Sequence, residues 1–331
     1  MERFALAAAV VLGFALTAAL CSLFVPLRRV LERREQQQQP VQSEQPRPAP
    51  LRAPLWGGLC AAAGTVAAVG VGWLAACVGQ PELLGSEGRL MTRLLTALAG
   101  SLAFGAVGLA EDVARMRSPA ALGLRRDVRL LLEALAAAFV LLLLRAAGCL
   151  PRGLGVPGAG YVLLGSAVPF LWAVLMVALA ECARIAERDE GAVCGAAFVA
   201  MLALMMVEAG LGVSGLAVLP GALAGALVAL GLWAFPPARL GVGCCGSLLA
   251  AGAIGCIPLS LDMTSLTVPL ALPFWAAGGL LAAQLLCAKR TGKPLRCWVK
   301  KHKMSPETVF LCSFALSAVG YVLALALLRW C

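Results

Sequence analysis

Charged side chains are scarce in this chain of 331 residues, at 13% of the total, and there is one histidine. Soluble domains carry about 25% charged residues, because a water-facing surface needs them. Hydrophobic residues make up 61% and the mean hydropathy is +0.90. A soluble globular protein is therefore excluded, and the surplus apolar surface needs a lipid bilayer as its solvent. Aromatic residues are also few, at 6%, and the runs of Leu, Ala, Val and Gly do not alternate with polar residues. An outer-membrane barrel would show both alternation and aromatic girdles, so helical spans are expected, with Gly and Ala at close helix contacts. The 13 cysteines show no C-x-x-C and no paired ectodomain spacing. Most are read as small buried hydrophobes.

Apolar runs between polar breaks predict about ten crossing helices of roughly 20 residues each. They fall near 4–25, 56–79, 91–110, 128–148, 159–181, 192–209, 212–234, 246–262, 266–288 and 308–329. The first run has no small-residue cleavage site before Arg28 and Arg29, so it reads as a retained helix. Sorting the 27 Lys and Arg by alternate loops places 21 on one side and six on the other. The positive-inside rule makes the first side cytoplasmic and both termini extracytoplasmic, in a multi-pass plasma-membrane protein. This placement of charge, between spans, also argues against a nucleic-acid partner for the net +10. The expectation is one integral domain over 1–331, with a flexible polar cytoplasmic loop at 28–55 rich in Gln and Pro.

Most acidic residues cluster at helix ends on the side assigned to the cytoplasm. Glu111 and Asp112 close the third span; Glu181, Arg184, Glu187, Arg188, Asp189 and Glu190 follow the fifth. Carboxylates so placed suit a hard cation such as Mg2+ that bridges to substrate phosphates. Helical spacing also puts Glu181, Arg184 and Glu187 on one stripe, which charge pairing at a wet helix end explains equally well. His302, alone in a Lys-rich loop, carries still less signal by itself.

The loops resemble those of the polyprenyl-phosphate N-acetylhexosamine-1-phosphate transferases (glycosyltransferase family 4), and within them the phospho-N-acetylmuramoyl-pentapeptide transferase branch. Ala53-Pro54-Leu55-Trp56-Gly57-Gly58 is similar to T-P-T-M-G-G. Gly108-Leu109-Ala110-Glu111-Asp112-Val113 is similar to G-F-I-D-D-Y, and Gly123-Leu124 with Arg129-Leu130-Leu131 to G-L-x-x-K-x-K-L-L. Pro237 to Leu248 resembles P-A-K-V-F-M-G-D-T-G-S-L, and Lys289-Arg290-Thr291-Gly292-Lys293 resembles K-L-T-G-K. The matches keep the family's order and spacing nearly end to end.

This resemblance implies a ten-helix all-α bundle with a cytoplasmic cleft. There a polyprenyl (undecaprenyl) phosphate attacks the sugar-linked phosphate of a UDP-sugar and releases UMP with Mg2+ assistance. It implies a metal and phosphate site from Glu111 and Asp112, joined by Glu187 and Glu190, and substrate contacts from Arg129, Arg184, Gly191, Lys293 and His302. It further implies membrane lipids as partners and a homodimer.

The chain departs from the family at positions that matter to that chemistry. Cys244 stands at the family's metal-binding Asp, and a thiol suits softer metals than Mg2+. Glu111 replaces an Asp, Arg188 replaces a Gly, and Asp127 replaces a Lys. Two functions follow as alternatives: a phospho-sugar transferase with a strongly altered centre, in which Mg2+ is the cofactor, or an inactive paralogue without one that binds the lipid carrier or a cell-wall partner. A transporter would place more charge inside the spans than Glu133 and Glu208 provide.

Overall fold

The computed structural model describes residues 2–38, 56–79, 88–117, 123–151, 153–156, 160–163, 165, 167–187, 191–213, 215–235, 239–291 and 306–330. Among the described residues there are ten long helices: α1 (Glu2–Gln38), α2 (Gly57–Gly79), α3 (Gly88–Arg117), α4 (Arg126–Ala146), α5 (Ala167–Ala186), α6 (Ala192–Gly210), α7 (Val218–Ala234), α8 (Gly243–Ser260), α9 (Leu272–Thr291) and α10 (Pro306–Trp330). A short helical stretch over Thr264–Leu270 leads into α9 at a bend of 64°. Seven of these helices are long and apolar enough to cross a membrane, and the bent pair makes eight. Helix α7 is a shorter apolar helix, Val218–Ala234, while α4 carries Asp127, Arg129, Glu133 and Arg145. The protein is an all-α polytopic membrane protein.

Helix α8 is the centre of the bundle, and every residue from Gly243 to Ser260 is buried. Its sequence is mostly Gly, Ala, Cys and Ser, which lets neighbouring backbones approach without displaced side chains. Helix α3 lies along it in the most extensive pairing of the fold, with α5, α2 and α6 at its other sides. Gly246 meets Gly58 of α2 backbone to backbone, and the Gly57 amide donates to the Gly241 carbonyl at 3.2 Å. Gly57 and Gly58 thus contribute a docking surface for the start of α8. On the outer helices large apolar side chains point outward, among them Leu23, Leu74, Leu142, Phe170 and Val322, as a lipid-facing surface requires.

Of the boundaries that differ from expectation, four matter most here. Helix α3 runs on to Arg117 instead of stopping near 110, because Glu111, Asp112 and Arg115 find partners without leaving the helix. Helix α8 begins at Gly243, three residues early, which puts Cys244 and Cys245 in its first turn. Helix α5 begins at Ala167, not 159; before it, β1 (Gly153–Val156) and β2 (Gly160–Leu163) pair as an antiparallel hairpin. Glycine at 153, 155 and 160 disfavours helix, while Val156, Tyr161 and Val162 suit a strand. Finally, the expected loop at 28–55 is helical as far as Gln38; residues 39–55 lie outside the described residues.

Candidate functional site

At the bundle end opposite the hairpin, the last turns of α3 and α5 meet the first turns of α4 and α8. Gly108 makes this possible, since a Cβ there would collide with the Cys244 carbonyl and lie 2.7 Å from the Cys245 nitrogen. One turn further along α3, the Asp112 carboxylate reaches the N-terminus of α8. Its two oxygens accept the backbone amides of Cys244 at 3.0 Å and Cys245 at 2.9 Å. Two unsatisfied helix-start donors are capped from another helix by an anion placed where the helix dipole favours it. Gly243, with φ +69, provides the left-handed turn that aims these amides at Asp112.

Around Asp112 lies a chain of ion pairs. The Arg115 guanidinium donates to Glu111 Oε1 at 2.9 Å and to both Glu187 oxygens at 3.3 and 3.4 Å, and stands 4.0 Å from Asp112 Oδ1. The Cys244 thiol donates to Glu187 Oε2 at 2.9 Å. One layer on, Arg129 bonds Glu181 at 2.7 Å and approaches Glu111 at 3.6 Å, and Arg184 bonds Glu181 at 2.7 Å. Glu111, Asp112 and Arg129 are buried, at 2%, 0% and 7% exposure. Four carboxylates (Glu111, Asp112, Glu181, Glu187) face three guanidiniums (Arg115, Arg129, Arg184), a formal charge of −1.

Of the sequence-derived site residues, the structure brings Glu111, Asp112, Glu187 and Cys244 into one cluster. Arg129 and Arg184 join it through Glu181. The expected stripe of Glu181, Arg184 and Glu187 splits: Arg184 pairs back to Glu181, while Glu187 turns across to Arg115. Gly191 sits at the start of α6 with φ +81, against the Ala234 carbonyl of α7, where it serves the turn into α6. Glu190, Lys293 and His302 lie outside the described residues. Sequence reasoning missed Arg115, although its spacing of four from Glu111 and three from Asp112 would have flagged it once α3 was extended.

Asp112, Glu187 and Cys244 offer ligand atoms within 4.8 Å of one another, the one cluster of metal-binding type among the described residues. These donors do not fit Mg2+, which takes six oxygens in an octahedron at about 2.0–2.1 Å. Both Asp112 oxygens are held by amides, both Glu187 oxygens by Arg115, and the third donor is a sulfur that itself bonds Glu187. What the arrangement can do unaided is hold three guanidiniums, each able to form paired bonds with a phosphate, in reach of the cluster.

The Arg129–Glu181 pair should be tightly coupled. In a double-mutant cycle with Arg129→Ala and Glu181→Ala, read by chemical unfolding in detergent, a coupling of about 1–3 kcal/mol is expected. Additive losses would show that the pair is solvated and adds nothing.

A family model for glycosyl transferase family 4 matches residues 94–262, just over half of the chain. It spans the carboxylate end of α3, the arginines of α4 and α5, and the whole of α8. No curated protein matches the chain significantly.

Proposed function

Since the chain belongs to glycosyl transferase family 4, we propose that it is a membrane phospho-sugar transferase with a strongly altered centre, acting on a polyprenyl phosphate. Its motifs point to the phospho-N-acetylmuramoyl-pentapeptide transferase branch, with UDP-N-acetylmuramoyl-pentapeptide or a related UDP-sugar as donor. The reading places the work in the cell membrane, in synthesis of a peptidoglycan or other envelope lipid intermediate, with the cluster on the cytoplasmic side. One observation carries it: Glu111 and Asp112 of α3, Glu187 after α5 and the first turn of α8 converge on one point. These are the segments that the family resemblance assigns to such a reaction.

In the reaction an oxygen of the lipid phosphate bonds to the sugar-bearing phosphorus. The bond from that phosphorus to the bridging oxygen breaks, and UMP leaves with the electron pair. Such a step depends on positioning and on charge held in advance where the transition state needs it. Among the described residues, the cations of the cluster that could receive the phosphates are Arg115, Arg129 and Arg184. Each would exchange a carboxylate for a phosphate oxygen on binding.

A second reading, an inactive paralogue that holds the lipid carrier or a cell-wall partner, is favoured by the charge count. A cluster at −1 with its guanidiniums already paired opposes a diphosphate substrate, and Cys244 removes an acidic ligand of the family.

The test is UMP release from undecaprenyl phosphate and UDP-N-acetylmuramoyl-pentapeptide, with the native chain beside Cys244→Asp and Asp112→Asn. The transferase reading expects release by the native chain and its loss in Asp112→Asn. Release from Cys244→Asp alone would identify the thiol as the lesion of an inactive paralogue, and no release from any form would also favour that second reading.

A further inference from the structure

We infer that the Arg115 guanidinium is the resident cation of the carboxylate cluster, standing where a divalent ion would bind and making the folded site independent of one. One guanidinium nitrogen lies 3.3 Å from Glu187 Oε2 and 4.0 Å from Asp112 Oδ1, and the other lies 2.9 Å from Glu111 Oε1. That places it among all three carboxylates, so an ion bridging Asp112 and Glu187 would compete for the same space and meet a fixed like charge.

The remaining donors support the same assignment. Asp112 spends both oxygens on the start of α8, and the Cys244 thiol donates a hydrogen to Glu187 where a ligand would have to offer a lone pair. A guanidinium suits this cluster, because its planar set of donors can serve several carboxylates at once. It is carried on α3 itself, one turn from Glu111, so it folds with the site and needs no recruitment. Glu111 Oε2, buried with no hydrogen-bond partner among the described residues, shows that the balance is incomplete. Removal of Arg115 would therefore leave three close carboxylates with an unmet demand for positive charge.

The chain in lipid nanodiscs is titrated with Mn2+, a paramagnetic stand-in for Mg2+, while the free-ion spectrum and the thermal midpoint are followed. The native chain should leave the free-ion signal unchanged and melt at the same temperature in chelator and in excess Mg2+. A site filled about 100-fold above its Kd would instead raise the midpoint by several degrees. Arg115→Gln should melt lower in chelator, deplete free Mn2+ and recover with it, whereas Arg115→Lys should remain indifferent to metal. If Arg115→Gln fails to fold, the double change Arg115→Gln with Glu187→Gln removes one charge of each sign and should fold; continued failure would mean that Arg115 acts by packing. Saturable Mn2+ binding by the native chain, or an Arg115→Gln variant as stable as native in chelator, would overturn the inference. Neither readout needs turnover, so failure of the transferase reading leaves this result standing, and the reverse also holds.

Discussion

Gly108→Val should be the most damaging single substitution in the site, lowering unfolding stability in detergent by more than about 4 kcal/mol or preventing assembly altogether. A Cβ at this position meets backbone atoms of Cys244 and Cys245, which cannot rotate away as a side chain would. The only relief is to separate α3 from α8, the most extensive helix pairing in the fold. Separation opens voids along a buried seam and breaks both bonds from Asp112, which sits one turn away. Gly70 on α2 provides the control, since its Cβ direction is open space, and Gly70→Ala should not lower stability. Chemical unfolding of the three proteins decides the point. A Gly108→Val chain that unfolds like the native one would show that the two helices are not held at this distance.

Asp112→Ala should rank second, at about 3 kcal/mol, the scale of two charge-assisted hydrogen bonds lost at a buried helix start. The two amides of Cys244 and Cys245 would have no acceptor, and one fewer carboxylate would oppose the arginines. Asp112→Asn should fall between the two, because the amide retains one acceptor oxygen but turns a donor toward the second N–H. Hydrogen exchange at Cys244 and Cys245 should accelerate in step with the loss. The double variant Gly108→Val with Asp112→Ala should cost less than the sum of its parts, because the first change already breaks the bonds that the second removes. Full additivity would separate the close approach from the cap. Native stability in Asp112→Ala would show that Asp112 is free for other work.

Particular residues show which parts were legible in advance. Gly57 and Gly58 were visible as a motif, but their purpose, docking against Gly241 and Gly246, needed two distant stretches to be brought together. Glu111 and Asp112 stand out in the sequence as a pair, yet they play different parts: one is ion-paired to Arg115, the other caps α8. Arg115 lies past the apolar run that ends near 110, so hydropathy alone makes it one more positive charge of a loop. Hydropathy marks where lipid stops, and a helix can continue past that level when its charges are paired. The hairpin at 153–163 was hidden for the opposite reason, since its Val, Tyr and Leu residues extended the apolar run that precedes α5.

Composition and the rhythm of apolar runs determined by themselves that this is a helical membrane protein with rods near the observed places. Burial in lipid obliges each backbone to satisfy its own hydrogen bonds, so long apolar segments have one accessible form. The order of short motifs likewise determined the family. Tertiary structure decided what the charged residues do, because their roles depend on which partner lies within about 3 Å, and those partners are far apart in the chain. Arg115 meets Glu187 across 72 positions and Asp112 meets the Cys244 amide across 132, distances over which no local pattern carries information.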